Sequence, residues 1–130
     1  YRRLLVPLLP GAPTPTAAVP TIAALAGASG AEVVLLRAGS ADASGDCSRT
    51  LERLLAERGV TAVTTVDVDE PARAVLDTAE AVAPDLIALC AGPRTRLSAW
   101  PLEAVVDRVT RKAPCPVLVL RGAVPALHGA

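Results

Sequence analysis

The chain has 130 residues, which is one domain by the usual size range, and 52% of them are hydrophobic while only 2% are aromatic. That hydrophobic content excludes disorder, which requires low hydrophobicity and high net charge. The formal charge is zero, from 13 basic and 13 acidic residues. It points to no polyelectrolyte partner, and scarce aromatics exclude a reader that stacks single-stranded bases, so no nucleic acid is expected.

Leu4 to Leu9 is an apolar run behind two arginines and reads as a buried strand; prolines interrupt it too early for a signal segment. A proline-rich turn follows, with Thr14 or Thr16 able to cap an alanine-rich helix over Ala17–Ala28, where Pro20 falls in the first turn and Gly27 and Gly30 close the end. Glu32 to Arg37 is a second buried strand, and Ala38 to Asp46 is a loop with turn chemistry. Ser48 to Arg58 places Leu51, Leu54 and Leu55 on one helical face, and Gly59 stops it. Its mixed charges, from Arg49 to Arg58, read as a solvated face.

Val60 to Val68 is β-branched and alternating, the pattern of an edge strand. Glu70 and Pro71 open a helix with Ala74, Val75, Ala79 and Val82 inward. Asp85 to Cys90 is a fourth strand, residues 91–101 form a loop, Leu102 to Arg111 is a helix, and Pro116 to Leu120 is the last strand. Strict β-α alternation with continuous apolar strands predicts an α/β fold: a single doubly wound, Rossmann-like parallel sheet of five strands in the order 3-2-1-4-5. The domain is expected to span residues 1–121, with 122–130 as a tail.

In that order the ligand crevice opens between strands 1 and 4, beyond their C-terminal ends, lined by Leu9–Thr16 and Ala91–Pro101. Arg94, Arg96 and Ser98 lie in the second loop, where guanidinium groups can hold an anion. Residues 94–121 carry six basic residues against two acidic, net +4, whereas residues 42–90 carry four arginines against ten acids, net −6. Trp100 stands at the mouth of the last helix, either as an exposed recognition anchor or as a lid packed over the crevice. The three cysteines, Cys47, Cys90 and Cys115, fit neither a disulfide framework nor a zinc site, so no metal and a reducing, cytoplasmic setting are expected. Cys90 and Cys115 fall in apolar runs and read as buried small hydrophobes. His128 alone near the end, and Ser98 with no histidine or lysine nearby, exclude an assembled nucleophile and base; the chain is expected not to be an enzyme.

Val109–Arg121 (VTRKAPCPVLVLR), Asp69–Leu89 (DEPARAVLDTAEAVAPDLIAL) and the early LLVPL together resemble the universal stress protein family over nearly the whole chain. The resemblance implies a homodimer paired along the last strand, Val117, Leu118, Val119 and Leu120, and an exposed apolar edge strand independently invites such pairing. Many members bind ATP through the pattern G-x-x-G-x9-G-S/T after the fourth strand, with an Asp at the end of the first. A gapless register back from APCPV places Cys90, Pro93, Glu103 and Ala104 on the four motif positions and Leu9 on the Asp; Gly92 sits off the motif. Pro93 removes a donor, Glu103 puts a carboxylate where phosphate meets the helix, and Leu9 cannot hold a metal or ribose. A regulatory or interaction module with no cofactor is therefore expected, with ATP or another adenine nucleotide in the Arg94/Arg96 crevice as the alternative. The chain begins Tyr-Arg-Arg without Met and reads as a trimmed protein or as a cytoplasmic domain of a larger one, as in family members fused to transporters or kinases. No apolar run is long enough for membrane insertion.

Overall fold

The three central apolar runs fold as a parallel sheet because they are buried on both faces, where their peptide groups must be paired. The computed structural model describes residues 1–9, 15–38, 45–67, 69–90 and 100–120. Its strands are β1 (Arg3–Leu8), β2 (Glu32–Ala38), β3 (Ala62–Asp67), β4 (Leu86–Cys90) and β5 (Val117–Leu120), in the order β3-β2-β1-β4-β5. All four pairings are parallel. The helices are α1 (Val19–Ser29), α2 (Gly45–Ala56), α3 (Pro71–Val82) and α4 (Trp100–Lys112), and a 3-10 turn over Pro15–Ala18 leads into α1. The fold is the expected doubly wound α/β sheet.

Alternate residues of each strand feed two separate cores. Leu4, Val6 and Leu8 of β1 join Val33 and Leu35 of β2 under Ile22 of α1 and Leu51 and Leu55 of α2. Leu5, Leu9, Val34, Leu36, Ile87 and Leu89 face the other way, under Ala74, Val75 and Ala79 of α3 and Val106 and Val109 of α4. Each fully buried Leu or Ile contributes about 1.5–3 kcal/mol of apolar transfer. The alanines on α1 and α3 keep these helices close to the sheet, which is how a core without phenylalanine or methionine still fills.

Several element ends depart from the expected ones: α1 starts at Val19 behind Ala18 with no side-chain cap from a threonine, α2 runs Gly45–Ala56 and so starts within the expected loop, and α4 starts at Trp100. Glu70 caps α3 by accepting from the Ala72 N–H, and Pro71 sits where no donor is needed. Pro20 falls within the first two positions of α1, as expected. Gly27, however, does not end α1: the helix runs through it to Ser29, and Gly30 at φ +67° forms the cap, its N–H donating to the Ala26 carbonyl. β3 is also shorter than Val60–Val68. Val60 is buried, but its N–H donates to the Leu55 carbonyl, so it belongs to the turn after α2.

The N-terminal arginines tie the base of the sheet. Asp85 accepts from the Arg2 and Arg3 N–H groups, and these two bonds, the Arg2 bond foremost, hold its carboxyl below the ordinary aspartate range. The Arg3 side chain donates to the Val82 carbonyl at the end of α3 and pairs with Glu32 at 3.2 Å.

Candidate crevice at the carboxyl ends of β1 and β4

The strand order reverses between β1 and β4, and the backbone there is built differently from its neighbours. The Arg2 carbonyl accepts from Glu32 on β2, while the Arg3 carbonyl accepts from Asp85 on the β4 side. Peptide groups alternate along a strand, so Pro7, in phase with Arg3, faces β4 without an N–H to give. β1 accordingly pairs with β2 over all six residues, Arg3–Leu8, but with β4 only at Leu4 and Leu5. The ladder stops below the carboxyl ends, where ligands bind in doubly wound sheets.

Around this opening the described residues are apolar or acidic. Leu9, at the end of β1, is 6% exposed and belongs to the core shared with α3 and α4. Cys90 ends β4, buried, in register with Leu120. Glu103 lies in the first turn of α4, half-buried and engaged within the fold, and Ala104 beside it is exposed. Trp100 begins α4. Arg94, Arg96 and Ser98, with Gly92 and Pro93, lie in 91–99, outside the described residues, as does the tail from 121.

A link absent from any linear reading joins the two helices on this side of the sheet. Arg108 of α4 donates to Glu70 at 3.0 Å, so the residue that caps α3 also holds α4. Thirty-eight residues separate the partners, and no local spacing signals the pair.

The cysteines are not an activated pair. Cys90 is buried, as expected, but Cys115 is half-buried, because it leads into the outer strand β5, which has a neighbour on one side only. Burial, and then the Asp85 charge, push the Cys115 thiol above its ordinary range and keep it protonated near neutral pH. Among the described residues no group of histidine, cysteine and carboxylate side chains is placed to hold a metal. No helix of the described residues is long and apolar enough to cross a membrane.

Two surface depressions lie among the described residues. One of about 390 Å³ is lined by Ala26, Gly27, Gly30, Glu32, Gly59 and Thr61. The other, of about 260 Å³, is lined by Leu76, Glu80, Lys112 and Pro114. Both sit at the amino ends of the strands, opposite the crevice.

A sheet in the order 3-2-1-4-5 whose ladder opens at the switch point defines a small doubly wound α/β domain. The sequence profile of the universal stress protein family matches residues 37–121, and the chain belongs to that family. Solved structures agree in fold. The hypothetical protein MJ0577 superposes with a TM-score of 0.77 at 20% identity, over 93% of this chain and 96% of that one. A universal stress protein in complex with cAMP gives 0.71 at 20% identity, covering 92% and 95%. The Archaeoglobus fulgidus universal stress protein in complex with dAMP gives 0.68 at 16%, covering 92% and 97%. No characterised relative matches by sequence comparison.

Proposed function

We propose that this chain is a non-enzymatic regulatory or interaction module of the universal stress type, dimeric and not binding ATP in the family manner. One observation carries the reading: Leu9, which the gapless register sets on the family's Asp position, is a buried core leucine directly after β1. It offers no oxygen to a metal or a ribose, and it cannot be turned outward without opening the α3/α4 core. Glu103 on the first turn of α4 supports it, because an anionic ligand at that helix end meets a carboxylate. Calorimetric titration with Mg-ATP tests the reading; the expected result is no binding, and low-micromolar affinity refutes it.

The same proposal takes β5 as the dimer interface. Val117, Leu118 and Val119 are half-buried on an outer strand, with no strand paired along its outer edge among the described residues. Light scattering at tens of micromolar should give the mass of a dimer, and a monomeric mass refutes this part. The module is proposed to act in the cytoplasm, free or as part of a larger protein such as a transporter, without nucleic acid and without inserting in a membrane.

A second reading is favoured by the dAMP and cAMP held by two structural neighbours. In it the crevice still takes an adenine nucleotide or another anion through Arg94, Arg96 and Ser98. A thermal shift on nucleotide addition that disappears in Arg94→Ala/Arg96→Ala would select it over the first.

A further inference from the structure

Among the described residues the other outer strand, β3, has no neighbour on one side and leaves a row of hydrogen-bonding groups open. Val33 donates to the Thr61 carbonyl, so Thr61, Val63 and Thr65 turn their peptide groups to β2, and Ala62, Thr64 and Val66 turn theirs outward. Natural edge strands are blocked by proline, lysine or a bulge, and Ala62–Asp67 contains neither proline nor lysine. Val63 and Val66 are 46% and 48% exposed, on opposite faces of the strand. From α2, Glu52 accepts a hydrogen bond from Thr64 Oγ1 at 2.9 Å, which fixes a carboxylate beside the middle of the strand on the α2 face.

We propose that the β3 edge is a docking strand for an extended segment of a partner protein, one basic residue flanked by apolar ones, which adds a sixth strand to the sheet. The unpaired peptide groups require an extended occupant, since only another strand satisfies alternate donors and acceptors in line. The two valines require apolar side chains on both faces of that segment. Glu52 sets the basic residue opposite Thr64. Arg37 of β2 lies beside Val66 in register, and Asp67 at the upper end falls on the opposite face from Thr64, so on the α2 face the acidic position is the middle of the edge. A second copy of this chain fits worse. The self-pairing that uses all three outward residues is centred on Thr64 and brings two Glu52 carboxylates together, and like charges at facing positions destabilise a pair. This surface is separate from the crevice and from β5 and does not rest on the function proposed above.

The probe is a synthetic peptide with two valines on each side of a central lysine and threonine at both ends, which puts valine on both faces of the strand, followed by calorimetry and by backbone amide exchange. On binding, the amides of Ala62, Thr64 and Val66 should slow, while those of Val63 and Thr65, already bonded to β2, should not change. A central glutamate should weaken binding by about fivefold or more. Glu52→Gln should make the two peptides bind alike. Ala62→Pro should weaken both without lowering the melting temperature, because its N–H serves no bond within the sheet. Absence of edge protection overturns the proposal, as does equal affinity of the glutamate peptide for the unsubstituted protein. Protection of the same amides by raising protein concentration alone also overturns it, assigning the edge to a second copy.

Discussion

Replacing Glu103 by glutamine separates the two roles that a carboxylate has at the start of α4. Glu103 stands in the first turn, where the helix N-terminus favours negative charge by about 0.3–1 kcal/mol. Losing that charge lowers stability by the same amount. For a chain of this length the unfolding entropy converts 1 kcal/mol to about 4 °C, so Glu103→Gln should melt about 1–4 °C lower. Anion affinity should move the other way. Two unit charges about 4 Å apart repel by about 1 kcal/mol in water and about 4 kcal/mol at a protein surface. Half-burial of Glu103 places it between these limits, so inorganic pyrophosphate or Mg-ATP should bind the variant between about fivefold and several hundredfold more tightly. Differential scanning fluorimetry reads the first effect and calorimetry the second. If the melting temperature falls as expected while anion affinity stays within about twofold, Glu103 does not face the anion site and the motif register is wrong.

Four further outcomes are expected. Glu70→Ala should cost about 1–2 kcal/mol, the sum of a lost N-cap and a half-exposed ion pair, and the Glu70→Ala/Arg108→Ala cycle should show a coupling of about 0.2–1 kcal/mol in denaturant melts; no coupling would mean the 3.0 Å pair is energetically idle. Gly30→Ala should destabilise by roughly 1 kcal/mol, because φ +67° penalises a side chain although the space around it is open, whereas Gly27→Ala in the helix interior should stabilise by about 0.5–1 kcal/mol. Ala83→Gly should stabilise, since Ala83 caps α3 at φ 50°, and thermal melts of the three variants give the signs directly. The depressed Asp85 carboxyl contributes stability that is present above about pH 4 and lost as pH falls through its lowered folded value, so acid melts of the protein and of Asp85→Asn should converge only below that range.

Continuous apolar strands and helix punctuation are local signals, and they carried most of the architecture. VVLL and LIAL have no polar phase and can only be buried on both faces, while VTAVTTV alternates and became the outer strand β3. Gly27 misled because glycine in a sequence marks both helix ends and helix interiors; only the positive φ of Gly30 distinguishes them. Nothing local signals the role of the Arg2 and Arg3 N–H groups, because the Asp85 that accepts from both lies more than eighty residues away. The Glu70–Arg108 pair was hidden for the same reason: burial and pairing across elements depend on topology, and composition does not encode distance.

The crevice shows a different division. Its position depends on strand order and on Pro7, whose missing N–H faces β4 and ends the ladder after Leu5, and both are backbone properties. Its chemistry depends on side chains that the backbone does not need: Leu9, Cys90 and Glu103 at the described margin, Arg94 and Arg96 in the loop beyond. Cys90 and Leu9 belong to the two cores, and the sheet register requires no ligating group at either position. The fold therefore keeps an opening at the switch point whatever side chains line it. For the same reason, family membership specifies where this chain would bind a ligand far better than whether it does, and the decision rests on the charge at Glu103 and the burial of Leu9.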